Sequence, residues 1–159
     1  MSHLTSKTAQ KFQDIINEYG VELKVVEFSE STRTAKEAAE VAGCKLGQIA
    51  KSIVFKTGVT EQPVLVIASG VNRVSERKIA SYIGEPIEKA DAQFVLEQIG
   101  YAIGGVPPFG HKQDIIPFID EDLLKYEEIW GAAGTPHAIF PLTPEDLLTL
   151  SKGKVVSVK

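Results

Sequence analysis

The chain has 159 residues, of which 43% are hydrophobic and 24% are charged, and its formal net charge is −4. This length and balance predict one globular domain over residues 1–159. No apolar run approaches the ~20 residues needed to cross a bilayer, and the single cysteine, Cys44, excludes an intramolecular disulfide. We therefore expect a cytoplasmic protein with no membrane segment, and the acidic balance argues against a surface that coats nucleic acid.

Patterns in the first half of the chain predict two helices and three strands. Apolar residues recur at helical spacing from Ala9 to Tyr19. A capping box of Thr34 and Glu37 begins a second helix, and a glycine ends each of the two. The predicted strands are VELKVVEF (21–28), IAKSIVFK (49–56) and QPVLVIAS (62–69), of which the last two form a hairpin.

The second half of the chain alternates helical and extended patterns. Two helices, SERKIASYIG (75–84) and DAQFVLEQIG (91–100), end in glycine. QDIIPFID (113–120) predicts a strand at a sheet edge or a bulge, because Pro117 cannot donate to a ladder. The last predicted elements are a short helix in EDLLKYEEIW (121–130), a strand in PHAIFPL (136–142), a helix in TPEDLLTLSKG (143–153) and a strand in KVVSV (154–158). This order predicts an α+β fold with a mixed sheet and surrounding helices.

Common catalytic motifs are absent from the sequence. It contains no CxxC, HExxH or EF-hand pattern, and His3, His111 and His137 lie far apart, so we expect no metal. The glycine-rich dinucleotide and Walker loops and the GxSxG elbow are also missing, and we expect no cofactor. Cys44 follows the end of a predicted helix, where the dipole disfavours a thiolate, so a structural role is favoured.

Three features remain as candidates for function. Lys51 shares a strand face with Ile49 and Ile53, so it either points into a pocket or lies near an edge and reaches water. Gly104-Gly105-Val106-Pro107-Pro108 either forms a β-bulge or strand exit, or presents main-chain N–H groups to a ligand oxygen in a loop that the prolines fix. His111 is either an ordinary exposed or capping side chain or a ligand contact.

Six segments carry a resemblance to a known family: TAKEAA (34–39), QIAKSIVF (48–55), PVLVIASG (63–70), GYAIGGVPPFGH (100–111), FIDEDLL (118–124) and LTPEDLLTLSKGKVVSV (142–158). In these segments the chain resembles the YbaK/ProX family of free-standing aminoacyl-tRNA deacylases, which are similar to the editing insertion domain of bacterial prolyl-tRNA synthetases. The resemblance implies a largely antiparallel, barrel-like sheet. It also implies hydrolysis of the ester that joins a wrong amino acid to the 3′-terminal adenosine of a tRNA.

The resemblance further implies roles for the candidate residues. Lys51 matches the lysine that engages the phosphate or ribose of the terminal nucleotide. Gly104 and Gly105 would donate main-chain N–H groups to the charge that develops on the carbonyl oxygen. The expected substrate-binding residues are Val106, Pro107, Pro108, His111 and Gly134. A positioned water, or a group of the substrate itself, would attack the polarised ester, since orientation and electrostatics supply much of such catalysis.

The segment Gly131-Ala132-Ala133-Gly134 predicts a small, apolar or backbone-lined wall in the aminoacyl pocket. Alanine or another small aliphatic amino acid on tRNA(Pro) is therefore the first expected substrate, followed by cysteine or serine. The expected partners are mischarged tRNA and a prolyl-tRNA synthetase that delivers it. Two other functions stay open: a non-catalytic module that holds a tRNA end, a nucleotide or an amino acid, and a hydrolase of another small ester.

Overall fold

The computed structural model of the protein describes residues 4–159, so His3 lies outside the described residues. The α-helices in this range are α1 Lys7–Glu18, α2 Ala35–Ala42, α3 Glu76–Ile83, α4 Ala92–Ile99 and α5 Pro144–Ser151, and short 3₁₀ helices span Leu46–Gln48 and Glu121–Lys125. The strands are β1 Val26–Glu27, β2 Ile49–Thr57, β3 Pro63–Ser69, β4 Ile87–Lys89, β5 Phe118–Asp120, β6 Ile129–Ala132, β7 Ala138–Leu142 and β8 Lys154–Val156. None of the helices described is long and apolar enough to span a bilayer.

The strands form one mixed sheet. Its order is β1-β7-β6-β2-β3-β5-β8, and β4 pairs with β2 outside that path. Strands β2 and β3 form the antiparallel hairpin predicted from the sequence, with Lys51 opposite Ala68. Within the described range, the pairs β2–β6, β3–β5 and β5–β8 are parallel and the other four pairs are antiparallel. The predicted α+β class with a mixed sheet is confirmed.

The helix ends follow the predicted capping chemistry. The Glu37 N–H donates to Thr34 Oγ1 at 3.1 Å, and the Thr34 N–H donates back to the Glu37 carboxylate at 3.3 Å. Asp91 accepts the Phe94 N–H at 2.8 Å at the start of α4. Gly43 ends α2 in the left-handed region at φ +71°, which glycine adopts at little cost. These local contacts explain why the helices predicted from Thr34 to Gly43 and from Asp91 to Gly100 were confirmed.

The predicted strand over residues 21–28 is wrong for most of its length. Only Val26 and Glu27 pair with a neighbouring strand, β7. The preceding chain is held by a side chain of α1 instead: Gln13 Nε2 donates to the Leu23 carbonyl at 2.9 Å, and Gln13 Oε1 accepts the Val25 N–H at 2.8 Å. A glutamine that satisfies both backbone groups removes the need for a partner strand.

Two further predictions need correction. Strand β5 is shorter than residues 113–120 and lies inside the sheet, between β3 and β8, rather than at an edge. Pro117 precedes the strand, where it has no ladder N–H to supply, and its carbonyl accepts the Lys154 N–H at 2.8 Å. The segment 121–130 is not one helix: a 3₁₀ turn ends at Lys125, and Ile129 begins β6, which pairs in parallel with β2.

Candidate active site

Strand β2 is fully paired along one edge and only partly paired along the other. Strand β3 covers the first edge from Ala50 to Lys56. On the second edge, β6 pairs at Ile49–Ala50 and β4 pairs at Phe55–Thr57, which leaves residues 51–54 without a strand partner on that edge among the residues described. Residues 51–55 line a cleft of about 720 Å³. The gap between β6 and β4 therefore exposes the middle of a central strand to a ligand-sized space.

Lys51 lies in this gap and lines the cleft. Burial lowers the pKa of its ammonium group, and the carboxylate of Asp120 opposes that shift only in part. Within residues 4–159, no carboxylate lies within salt-bridge distance of Lys51 Nζ. The side chain is thus a partly desolvated cation that no internal ion pair neutralises, which is the position predicted for a pocket lysine.

The charged residues that line the cleft are mostly basic. Besides Lys51, the lining contains three exposed basic side chains, those of Arg33, Arg73 and Lys89. Glu76 is the one acidic residue of the described lining. The whole chain, in contrast, carries a formal net charge of −4. Positive charge is therefore concentrated at the cleft of an acidic protein, where it attracts anionic ligands. The residues described contain no cluster of three or more His, Cys, Asp or Glu that could hold a metal ion.

The loop that contains the two central glycines forms part of the cleft wall. Gly104 and Val106 line the cleft, and Gly104 has φ +89°. A Cβ on Gly104 would lie 2.8 Å from Cγ of Arg33, so this glycine allows the Arg33 side chain to pack against the loop. Residues 101–117 contain no strand, so the alternative of a bulge or strand exit is wrong for this loop.

The two glycines differ in what their main-chain groups do. The Gly105 N–H donates to the Ala102 carbonyl at 3.0 Å, and the Gly105 carbonyl accepts the Gly134 N–H at 2.8 Å. A Cβ on Gly105 would lie 2.7 Å from the main-chain nitrogen of Thr135. In the described part of the chain, the Gly104 N–H has no hydrogen-bond partner. Of the two expected donors, only Gly104 has an N–H group that the fold leaves available.

The other expected substrate-binding residues support the loop and lie outside the cleft lining. Pro107 and Pro108 are buried. The His111 Nε2 atom lies 2.6 Å from the Pro107 carbonyl oxygen, and burial lowers the pKa of this imidazole. Gly134 holds Gly105 through the hydrogen bond given above, at φ +101°. The structure thus brings Lys51, Gly104 and Val106 together at the cleft and places Pro107, Pro108, His111 and Gly134 among the contacts that fix the loop.

Aromatic side chains anchor the same loop to the core. The ring of Phe109 lies 5.4 Å from Phe12 of α1 and 5.8 Å from Phe140 of β7, measured between ring centroids. Phe12 and Phe140 are themselves 5.1 Å apart and fully buried. Aromatic clusters of this kind contribute roughly 0.5–1.5 kcal/mol per pair beyond area burial. The loop is therefore fixed before any ligand binds.

A smaller cavity of about 60 Å³ adjoins the cleft and shares Lys51, Ser52 and Gly104 with it. We call this cavity the side chamber; its other lining residues include Thr32, Ala38, Ile49, Ala50, Trp130, Gly131, Ala132 and Ile139. Sequence reasoning missed Thr32 and Ser52. Ser52 did leave a signal, because it is a polar residue between Ala50 and Val54, two apolar residues of the same strand face. Thr32 lies in an irregular segment and left none.

Comparison with known proteins gives a consistent result. A model of the aminoacyl-tRNA editing domain family matches residues 29–150. A solved structure named as a candidate trans-editing enzyme for prolyl-tRNA synthetase is 43% identical, with a TM-score of 0.92 over 98% of this chain and 99% of its own. An uncharacterised protein of Bacillus subtilis, YwhH, is 35% identical over 82% of this chain and 83% of its own length. EbsC of Enterococcus faecalis, named as a candidate Cys-tRNA(Pro)/Cys-tRNA(Cys) deacylase, is 29% identical over 96% and 95%, respectively.

Proposed function

The chain belongs to the family of aminoacyl-tRNA editing domains, and we propose a specific editing reaction for it. Its general activity is that of a trans-editing hydrolase that acts on mischarged tRNA. We infer that the substrate is tRNA(Pro) esterified with a small amino acid, namely alanine, cysteine or serine. The products are the free amino acid and uncharged tRNA.

The observation that carries this proposal is the charge of the cleft. Four basic side chains line the cleft, namely Arg33, Lys51, Arg73 and Lys89, and Glu76 supplies the one carboxylate of the described lining. The net charge of the chain, in contrast, is −4. A tRNA 3′ end is a single strand with one phosphate for each nucleotide. A few local cations are sufficient to hold one or two nucleotides of such a strand, whereas a protein that coats nucleic acid needs a broad basic face.

We assign Lys51 to the terminal nucleotide. Its ammonium group is partly buried at the cleft and has no ion-pair partner in the described structure. A desolvated cation gains more from a phosphate oxygen than an exposed lysine does, because the charge-assisted hydrogen bond replaces little competing water. This contact would hold the ester next to Gly104, which lines the same cleft.

We assign the polarisation of the ester carbonyl to the available N–H of Gly104. Water attacks the carbonyl carbon, and a tetrahedral intermediate forms with negative charge on the former carbonyl oxygen, which the N–H stabilises. The bond between this carbon and the ribose oxygen then breaks. The proton lost by water passes through a polar group of the substrate to the leaving ribose hydroxyl. Positioning of this kind can lower a barrier by roughly 7–11 kcal/mol.

The test is an ester-hydrolysis assay with tRNA(Pro) charged separately with alanine, cysteine, serine and proline. We expect the wild-type protein to release at least one of the first three and to spare proline. Lys51→Ala should abolish most of this activity. The matched control is Lys56→Ala on the same strand, whose side chain pairs with Glu61 and Glu88 instead. Hydrolysis by Lys51→Ala at the wild-type rate would contradict the assignment of Lys51. Binding without hydrolysis of any of the three would indicate a binding module.

We also propose that a prolyl-tRNA synthetase delivers the substrate. Because only about four cations line the cleft, the slope of log affinity against log salt should be no steeper than about −3. Affinity of that kind is modest at physiological salt, so the rate at low tRNA concentration should rise when the synthetase is added. A steep salt slope, or no effect of the synthetase, would indicate that the protein captures tRNA unaided.

A further inference from the structure

Two hydroxyl groups at the side chamber lack hydrogen-bond partners. Thr32 Oγ1 and Ser52 Oγ are buried, and within residues 4–159 neither has a partner. Thr32 as a residue is only 5% exposed. Buried hydroxyls are nearly always hydrogen-bonded, since an unpaired one retains its desolvation cost. Both residues line the same small chamber, so two rare features coincide next to Lys51.

Most of the other residues that line the chamber are apolar, and several of them are small. Gly131 and Ala132 of β6 lie on one side, and Ile49 and Ala38 are among the remaining lining residues. A water molecule needs about 10–15 Å³ of such volume, so the chamber of about 60 Å³ has room for a side chain of two to four non-hydrogen atoms. The chamber is thus small and mostly apolar, with Arg33, Thr34 and Lys51 in the part of the lining that it shares with the cleft, and the two residues with unpaired hydroxyls belong to its wall.

We propose that Thr32 and Ser52 select an amino acid whose small side chain carries a hydroxyl or thiol, so that serine, threonine and cysteine are preferred to alanine. This inference rests on the proposed function, because it assumes that the aminoacyl group of the substrate enters the chamber beside Lys51. A side-chain hydroxyl can donate to one of the two oxygens and accept from the other. Alanine and the ring of proline offer no such group, so they leave both hydroxyls unpaired or hydrated.

The selectivity follows from the energy of one or two neutral hydrogen bonds. Each is worth about two- to twelvefold in affinity, so a seryl group should be preferred to an alanyl group by roughly tenfold or more. The same pairing spares cognate prolyl-tRNA through polarity rather than through size. The proposed preference for serine over alanine reverses the substrate order that was expected from the small residues 131–134, in which alanine came first.

The first experiment measures kcat/KM for tRNA(Pro) charged with serine and with alanine. We compare the wild-type protein with Ser52→Ala, Thr32→Val and the double variant. Valine keeps the shape of threonine, and Ser81→Ala removes an exposed hydroxyl of α3 as a control. The ratio of serine to alanine should be about tenfold or more in the wild type, should stay so in the control and should approach one in the double variant. A wild-type ratio near one, or a ratio that the double variant retains, would overturn the proposal.

The second experiment separates this inference from the proposed reaction. Adenosine analogues that carry seryl or alanyl groups in a 3′-amide linkage resist hydrolysis, and calorimetry gives their affinities. The seryl analogue should bind about tenfold more tightly to the wild type and equally to the double variant. If no charged tRNA is hydrolysed but this preference holds, the proposed reaction fails and the selectivity stands; equal binding overturns the selectivity. The melting temperature of Thr32→Val should equal or exceed that of the wild type, whereas a fall would show that the hydroxyl is structural.

Discussion

Replacing Lys51 with methionine should lower activity without lowering stability. Methionine keeps most of the length and flexibility of lysine but carries no charge. In the folded protein, burial lowers the pKa of Lys51 below its ordinary value of 10.5, and the attraction of Asp120 does not restore it. The unfolded chain therefore holds this proton more tightly than the folded protein does. Stability should rise as the pH increases through the interval between the lowered folded pKa and the unfolded value.

The two effects of Lys51→Met have opposite signs. Losing a charge-assisted contact costs roughly 1.5–3 kcal/mol, which corresponds to a decrease of about 10- to 150-fold in kcat/KM. The fold, in contrast, no longer contains a partly desolvated ammonium group, so the melting temperature should be unchanged or higher at pH 7. The alkaline rise in stability that belongs to this titration should disappear from the variant.

The assays are tRNA deacylation and thermal unfolding followed by circular dichroism, with Lys56→Met as the control. Lys56 forms ion pairs of 3.7 Å with Glu61 and 3.4 Å with Glu88, so its loss should cost up to about 1 kcal/mol and leave deacylation unchanged. The reasoning is refuted if Lys51→Met melts well below the wild type, because the charge would then be structural. It is also refuted if that variant retains kcat/KM.

Three further changes test the support of the site. Gly105→Ala places a Cβ 2.7 Å from the Thr135 nitrogen, so it should lower the free energy of unfolding measured in urea by roughly 1–3 kcal/mol and reduce the rate of deacylation. Unchanged values would show that the loop can move to accommodate the methyl group. His111→Gln keeps a donor near the Pro107 carbonyl but does not titrate. Since burial lowers the His111 pKa, wild-type stability should fall as pH drops below about 6.5, and less so in the variant; equal pH profiles would contradict this. Asp120→Asn weakens a buried acceptor of the Ser69 N–H at 2.9 Å and should lower the free energy of unfolding by about 1–3 kcal/mol; an unchanged free energy would show that the carboxylate is not needed as an acceptor.

Local chemistry determined the parts of the fold that the sequence predicts well. Helix capping acts within one helical turn, as in the capping box of Thr34 and Glu37 and at the glycines that end the helices, so it can be predicted from neighbouring residues in the sequence. The hairpin of β2 and β3 follows from two adjacent apolar runs with a short turn. Strand β6 was missed because it has only four residues and directly follows a segment with a helical pattern. Its antiparallel pairing with the nearby β7 did leave a local signal, whereas its parallel pairing with β2, about eighty residues earlier in the chain, leaves none.

The site shows the same division between local and distant information. Lys51 could be singled out from its position on an apolar strand face, and the glycine loop from its composition. The gap between β6 and β4 could not be predicted, because it depends on where two distant strands stop pairing with β2. Nor could the sequence predict that the Gly105 N–H donates to the Ala102 carbonyl, whereas the Gly104 N–H has no partner in the described structure. Such differences arise from loop geometry that only the assembled structure fixes.

Several unfavourable features of the fold meet at this cleft. A lysine is held where burial opposes its charge, and two hydroxyls are buried without partners in the described part of the chain. Each is tolerated because the well-packed aromatic cluster and the fully paired edge of β2 supply stability nearby. A fold selected for stability alone would replace such groups with apolar ones, since each substitution removes a desolvation cost. Their concentration around one cleft is best explained by a ligand that pairs with them, so the variants that weaken binding should be those that leave the free protein as stable as before, or more so.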